Sequence, residues 1–201
     1  MIVRTLDDVA RIAATCTRCR LSAGRTQVVF GVGSPTADLM FIGEGPGYHE
    51  DKQGIPFVGA AGQLLTTLLS EIGVDRGDVY IANVVKCRPP GNRDPLPDEI
   101  ESCRPYLLEQ VATIDPRVVV TLGNFATRVI LERPSLSISR VRGQRFTWEG
   151  RLVIPTFHPA AILHGGGAAS SQMAAVRQDF ASLRQALDEL PQPVEEQLGL
   201  F

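Results

Sequence analysis

The sequence predicts an α/β protein, a three-layer α/β/α sandwich around a central, mainly parallel four-stranded sheet. Short apolar runs alternate with segments of helical periodicity along the 201 residues. This alternation is typical of a parallel sheet covered by helices on both faces. The runs are also continuously rich in Val, Ile and Leu, which indicates strands buried on both sides.

The predicted elements follow one another in the order that such a sandwich requires. A helix over residues 5–15 begins at a capping box formed by Thr5 and Asp8. The remaining elements are expected to be joined by right-handed crossovers: strands at 38–43, 79–85, 117–123 and 152–157, and helices at 60–72, 97–113, 124–131 and 171–189.

Composition places the chain among globular proteins, with 44% hydrophobic and 21% charged residues. We expect one domain over residues 1–190 and a flexible acidic tail over 191–201. No apolar run approaches the roughly 20 residues of a membrane span, and Asp7 and Asp8 interrupt the stretch where a signal peptide would be apolar. The sequence therefore predicts a cytoplasmic protein without membrane contact, and nothing in it indicates an oligomer, so we expect a monomer.

Three predicted strands end, or nearly end, in polar residues that packing does not require. Glu44 follows the first strand, Asn83 lies inside the second, and His158 follows the last. Each has an ordinary structural explanation: a helix cap, a loop hydrogen bond or a surface histidine. Because ligands of open parallel sheets bind beyond the carboxyl ends of the strands, the three together predict a site.

A glycine-rich segment, GEGPG, begins this predicted site. Gly43, Gly45 and Gly47 are followed by a long loop containing Pro56, so the context of a dinucleotide-binding fingerprint is missing. The glycines instead allow the backbone to approach a flat ligand closely. Phe57, on the same loop, is either the face on which such a ligand stacks or an ordinary core residue.

Four cysteines indicate a metal centre. Cys16 and Cys19 form a C-x2-C pair, and Cys87 and Cys103 lie further along the chain. In a cytosolic protein this pattern favours metal binding over disulfides. Zinc, an iron–sulfur cluster and unrelated buried thiols all remain open at this point, although zinc ribbons usually repeat the close pair.

The net charge of −2 does not exclude a nucleic-acid partner, because it is unevenly distributed. Four acidic residues lie in the last fourteen positions, and the rest of the chain has more basic than acidic residues. Arg140, Arg142 and Arg145 form a local basic cluster. It is either a phosphate contact or a solvated charged loop.

Taken together, these motifs resemble the family 4 uracil-DNA glycosylases, the iron–sulfur type of the uracil-DNA glycosylase superfamily. The resemblance covers residues 16 to about 187, in the family's order. It is carried by the C-x2-C pair and by four segments: GEGPGYHEDKQGIPFVGAAGQLL (43–65), NVVKCRPP (83–90), ESCRPYL (101–107) and HPAAIL (158–163). One departure is Gly45, where the family commonly has alanine.

The resemblance implies an enzyme of base excision repair that flips uracil out of single- or double-stranded DNA and hydrolyses its N-glycosidic bond. Free uracil and an abasic site would be the products. It implies that Cys16, Cys19, Cys87 and Cys103 ligate a 4Fe-4S cluster. The uracil pocket it implies consists of Gly43, Glu44, Gly45, Phe57, Asn83 and His158.

The residue types suit this chemistry. Asn83 offers one donor and one acceptor, which match uracil and not cytosine. His158 would donate to uracil O2 as negative charge develops, and Glu44 would orient the attacking water and stabilise the sugar cation. Glu50 is a second candidate for positioning the water, and Arg140, Arg142 and Arg145 are candidates for DNA contacts.

Two non-enzymatic alternatives are a uracil-DNA binding protein that traps its target covalently and an iron–sulfur DNA-binding module. A trapping relative carries a basic insertion with a nucleophilic histidine after the second strand. The corresponding loop here, residues 88–97, is short and contains no histidine. The presence of both Glu44 and His158 argues against the module.

The chain ends in QLGLF, which resembles the peptide by which bacterial repair proteins dock on the replication sliding clamp. Leu198, Leu200 and Phe201, together with Gln197, would fill an apolar groove of that partner. The alternative is that these residues pack back onto the domain.

Overall fold

The computed structural model describes residues 4–167 and 170–190. At its centre lies a six-stranded sheet, ordered β1-β3-β2-β4-β6-β5. Its strands are β1 (Val32–Gly33), β2 (Leu39–Gly43), β3 (Tyr80–Asn83), β4 (Val118–Leu122), β5 (Phe146–Trp148) and β6 (Arg151–Thr156). The four inner strands are parallel, and their carboxyl ends therefore lie at one edge of the sheet.

Eight α-helices of the described residues flank this sheet. They are α1 (Leu6–Ala14), α2 (Tyr48–Gln53), α3 (Ala60–Glu71), α4 (Pro97–Ile114), α5 (Gly123–Leu131), α6 (Ile138–Val141), α7 (Pro159–His164) and α8 (Ser171–Asp188). The capping box predicted at Thr5 and Asp8 is present at the start of α1. No helix in the described ranges is long and apolar enough to cross a bilayer.

Two apolar layers cover the two faces of the sheet, which confirms the sandwich. Side chains alternate along β2, so that Met40 and Ile42 pack with α1, α4 and α5 on one face. Leu39 and Phe41 pack with α3, α7 and α8 on the other. Continuous apolar runs are thus needed because both faces of each inner strand are buried.

The predicted sheet of four strands is too small by two. Both additional strands are short, antiparallel and at the edges: β1 pairs with β3, and β5 pairs with β6. The hairpin joining β5 to β6 turns through Glu149 and Gly150, both with positive φ, as tight two-residue hairpins require. With only two and three residues, β1 and β5 leave no periodic signal in the sequence.

The long loop predicted to follow Gly43, Gly45 and Gly47 contains α2. This helix begins after Gly47 and ends at Gly54, which adopts a left-handed backbone. Buried Asp51 accepts a hydrogen bond from the Thr26 amide at 2.9 Å and joins the helix to the preceding chain. The segment that follows the glycine-rich turn is therefore held against the preceding chain.

Candidate active site

The polar residues at the three strand ends line one pocket. Glu44, Asn83 and His158 contribute to its wall together with Phe57. Gly43 of β2 lies opposite Asn83 of β3 in the parallel register, while His158 follows β6 and caps the first turn of α7. Parallel pairing thus brings together residues that are more than 100 positions apart in the sequence.

Gly43 is required by the close approach of two side chains. A Cβ atom at this position would lie 2.4 Å from Asn83 Oδ1 and 2.7 Å from Phe57 Cζ. The absence of a side chain at Gly43 therefore lets the amide and the ring lie side by side.

Asn83 presents an unused acceptor to this pocket. Asn83 is 2% exposed, and its Oδ1 has no hydrogen-bond partner within the described residues. Buried polar atoms are nearly always paired in native proteins. The orphaned oxygen is therefore explained if a ligand supplies the missing donor.

Phe57 has a left-handed backbone, with φ of +55°, which is uncommon for a residue with a side chain. Arg76 Nη2 donates to the carbonyl oxygens of Pro56 and Phe57, both at 3.0 Å. Close approach of Gly62 also fixes the turn, because a Cβ there would lie 1.7 Å from Phe57 O. The ring is consequently held with its centroid 5.6 Å from that of His158.

Glu44 carries the most informative electrostatic perturbation of the pocket. Burial, with a smaller contribution from the negative charge of Asp94, raises its pKa from 4.5 to about 7. Its carboxylate forms no hydrogen bond to another described residue. It is thus a poised base near neutral pH, with its oxygens free to bind water or substrate.

His158 is shifted in the opposite sense by the same cause. Burial lowers its pKa to about 4, against a smaller opposing effect of Glu50. Its Nδ1 accepts a hydrogen bond from the Ala160 amide at 3.1 Å, so the proton of the neutral ring lies on Nε2. His158 is therefore a neutral donor.

The Glu50 carboxylate holds the main chain near the pocket in place. Its Oε1 accepts hydrogen bonds from the amides of Val58 and Gly59, both at 3.0 Å. These bonds join α2 to the start of α3 and hold the two residues that directly follow Phe57. The carboxylate also lines the pocket.

All four cysteines line a second, separate pocket on the α1 and α4 side of the sheet. Three of their sulfur atoms are within hydrogen-bond reach of nitrogen donors: Cys16 Sγ lies 3.5 Å from the Arg18 amide, Cys103 Sγ 3.2 Å from the Lys86 amide, and Cys87 Sγ 3.3 Å from Arg25 Nη1. Hydrogen bonds of this kind surround the sulfurs of iron–sulfur clusters. No group of three or more side chains in the described part of the chain is arranged to bind a single metal ion.

Lys86 connects the two pockets. Only 1% of this residue is exposed, and its ammonium donates to Asn83 O at 2.7 Å and to Gln110 Oε1. Burial lowers its pKa to about 8, and it has no carboxylate partner among the described residues. A buried cation of this kind needs a nearby negative charge, and the cysteine pocket is where one could lie.

The predicted basic cluster is divided. Arg142 forms an ion pair with buried Asp179 at 2.6 Å, and Asp179 also accepts from Thr156 Oγ1 at 2.6 Å. This ion pair argues against a phosphate contact at Arg142, because the guanidinium joins the end of α6 to α8. Arg145 pairs at the surface with Glu189, and Arg140 is exposed.

Several residues at the site carry no signal in the sequence. His164, Asn92 and Arg93 lie on the rim of the pocket, and Arg76 supports Phe57 from behind. Arg93 pairs with buried Glu99 at 2.6 Å, which fixes the loop before α4. The contacts of Arg76 and Arg93 form only in the folded chain, so the residue types alone could not have predicted them. The tail positions Gln197, Leu198, Leu200 and Phe201 lie outside the described residues.

Comparison with known proteins relates the chain to one family. The sequence profile of the Uracil DNA glycosylase superfamily matches residues 30–181. The chain is 49% identical over 159 residues to a type-4 uracil-DNA glycosylase of Thermotoga maritima, covering 79% of this chain and 83% of that protein. It is 47% identical over 168 residues to the type-4 uracil-DNA glycosylase of Sulfurisphaera tokodaii, with 80% and 76% covered. For that of Saccharolobus solfataricus, the identity is 43% over 194 residues, with 92% and 88% covered.

The support of Phe57 by Arg76 is testable through stability. Replacing Arg76→Met leaves carbonyl groups without donors, and we expect the free energy of unfolding to fall by about 2–3 kcal/mol. The matched control is Arg177→Met, which removes an exposed pair with Glu71 and should cost below about 1 kcal/mol. Urea denaturation measures both variants. Equal losses would show that Arg76 does not hold the turn.

Proposed function

Because this chain belongs to the type-4 group of the uracil DNA glycosylase superfamily, we propose that its strand-end pocket is where uracil is removed from DNA. The chain is a uracil-DNA glycosylase of DNA repair, a hydrolase that cleaves the N-glycosidic bond of deoxyuridine in DNA. A base inside a duplex cannot be reached, so the target nucleotide must be extruded into the pocket. The orphaned acceptor of Asn83 beside the Phe57 ring best supports this pocket as the base site.

Recognition of uracil is assigned to Phe57 and Asn83. The Phe57 ring stacks on one face of the base, while the Asn83 amide accepts from uracil N3–H and donates to O4. Gly43 and Gly45 let the backbone approach the base edge, and a Cβ at Gly45 would lie 2.8 Å from Val85 Cγ2. Cytosine presents the reverse pattern to Asn83 and leaves buried polar groups unpaired, so it is rejected.

Departure of the base is assigned to His158. Breaking the glycosidic bond moves its electron pair onto uracil, and the charge develops on O2. Because the His158 ring is neutral with its proton on Nε2, it donates a hydrogen bond to that oxygen without giving up a full proton. Donors aimed at developing charge in a dry site are among the strongest sources of catalysis.

Attack of water is assigned to Glu44. In its ionised form this carboxylate orients the water beneath the sugar, stabilises the positive charge of the sugar, and accepts a proton as the new C–O bond forms. A positioned base contributes roughly 10²–10⁴-fold. Glu50 supports this step indirectly, because it holds the amides of Val58 and Gly59, which directly follow Phe57. Arg140, in α6, and Arg145, directly before the edge strand β5, are assigned to phosphate contacts.

The cysteine pocket is assigned to a 4Fe-4S cluster held by Cys16, Cys19, Cys87 and Cys103. Its donor set fits: four thiol groups line one pocket, nitrogen donors face three of the sulfurs, and buried Lys86 requires a negative centre. When bound, such a cluster would tie the chain after α1 to α4 and to the loop after β3. Lys86 then holds the Asn83 carbonyl, so the cysteine pocket and the uracil site share one support.

The terminal residues 197–201 are assigned to a partner. Leu198, Leu200 and Phe201 are apolar residues in an acidic segment that includes Glu195 and Glu196. A short peptide with apolar anchors docks in a groove of its partner. The sliding clamp of replication is the partner that the QLGLF sequence fits.

Excision is tested with uracil-containing single-stranded DNA, where alkali breaks the strand at each abasic site. We expect turnover by the parental protein and a loss of about 10²–10⁴-fold in kcat/KM for Glu44→Gln. Because the ionised carboxylate is the active form, kcat/KM should rise with pH through a midpoint near 7. His158, with a pKa of about 4, should not titrate in this range.

Asp94→Asn is the matched variant for this profile. It removes a negative charge that raises the pKa of Glu44, so the midpoint should move to lower pH while activity at high pH stays near the parental value. Parental activity in Glu44→Gln would refute the assigned base. A heat-stable protein–DNA adduct without turnover would identify a trapping protein instead.

The cluster is tested on protein purified without oxygen, by iron content and visible absorbance. We expect a brown protein, and loss of iron in Cys103→Ser because one ligand is removed. Ser102→Ala, at another residue lining the pocket, should retain the iron. A parental protein that binds zinc, or neither metal, would overturn the assignment.

The terminal peptide is tested by deleting residues 197–201. Excision on short oligonucleotides should remain at the parental rate, because the deletion removes none of the residues assigned to the reaction, while binding to the sliding clamp should be lost. Replacing Glu195 and Glu196 with Gln is the control and should leave the anchors effective. Parental clamp binding by the deletion variant would contradict the assignment.

A further inference from the structure

An exposed aromatic ring with two cations lies beside the active-site pocket. Tyr48, at the start of α2, is 50% exposed. The guanidinium of Arg88 lies 5.1 Å from the centroid of its ring, and the ammonium of Lys52 lies 5.9 Å from it. We call these three residues the Tyr48 patch.

The Tyr48 patch is continuous with the mouth of the pocket. Gly47 and Pro89, the chain neighbours of Tyr48 and Arg88, both line the pocket. Arg88 Nε also donates to Asn92 Oδ1 at 2.7 Å, and Asn92 lies on the rim. A strand whose target nucleotide enters the pocket would therefore pass over or beside the patch.

The two cations of the Tyr48 patch are available to a negatively charged partner. Neither Lys52 nor Arg88 forms an ion pair with a carboxylate within residues 4–167 and 170–190. Many arginines elsewhere on the surface do, including Arg20, Arg145 and Arg177. Contact with an aromatic face partly offsets the proximity of two like charges, and a bound anion would do so further.

We propose that the Tyr48 patch binds the nucleotide next to the extruded uracil in a single-stranded segment of the substrate. The phosphate lies between Lys52 and Arg88, and the base packs against the exposed part of the Tyr48 ring. Aromatic rings flanked by cations are the elements with which proteins bind single strands irrespective of sequence. An acidic peptide would use the cations and leave the aromatic ring without a planar partner. The inference rests on the proposed function, and its failure can be separated from failure of that function.

The test compares steady-state excision on a uracil-containing single strand that extends past the patch. Tyr48→Leu should raise KM roughly five- to tenfold, in the low range for loss of one aromatic stacking partner. The value of kcat should not change, because the pocket is intact. Tyr48→Phe keeps the ring and should keep the parental KM.

Salt dependence separates charge from stacking. The double variant Lys52→Gln/Arg88→Gln should reduce the slope of log KM against log salt by about 0.7, the value for one phosphate contact on a single strand, and each single variant should remove part of that amount. Arg184→Gln is the control: this cation lies beside Asp38 and Leu39, where β2 begins, at the opposite end of the sheet. It should leave both KM and slope unchanged.

Inhibition by free uracil measures the pocket alone. The variants of the Tyr48 patch should keep the parental inhibition constant, while Phe57→Ala should weaken inhibition. Patch variants with parental KM and parental salt slope on an active enzyme would overturn the inference, as would a change in kcat or in uracil inhibition. An inactive parental protein would refute the proposed function instead.

Discussion

The missing side chain at Gly43 is the constraint on which the site depends. Parallel pairing places this residue opposite Asn83, and a Cβ atom would overlap both the Asn83 amide and the Phe57 ring. The two groups that define the shape and polarity of the pocket thus occupy space that any other residue would fill. A second close approach, at Gly62, fixes the turn of Phe57 from behind. Selectivity of the pocket is therefore set by backbone packing as much as by the polar groups themselves.

The same burial acts on both ionisable groups assigned to the reaction. It raises the pKa of Glu44 and lowers that of His158, because a dry environment disfavours the charged form of either. The histidine is consequently a neutral donor at every pH near neutrality, while the carboxylate is divided between its two forms. One physical cause thus gives two residues different roles, and no direct contact between them is needed.

The sequence predicted the inner strands, the helical layers and the edge at which polar residues meet, because long apolar runs and strand-end positions are local signals. It did not predict β1, β5 or α2, which are too short for periodicity and depend on pairing or capping. The ion pair of Arg142 was not predicted for a related reason: a basic cluster in the chain says nothing about a buried partner such as Asp179, 37 residues away. Arg76 was missed because its contacts are to main-chain oxygens, which have no sequence signature. Side-chain contacts of this kind, between residues far apart in the chain, could not be predicted from the sequence.

Glu44 also affects the stability of the folded protein. An ionised carboxylate that accepts no hydrogen bond in a desolvated wall weakens the native state relative to the unfolded chain. This penalty is absent below the unfolded pKa of 4.5, grows as pH rises, and is complete above the folded value of about 7. Selection for thermal endurance alone would replace this residue with a neutral one. The presence of Glu44 is explained if this position is selected for catalytic activity and not for stability.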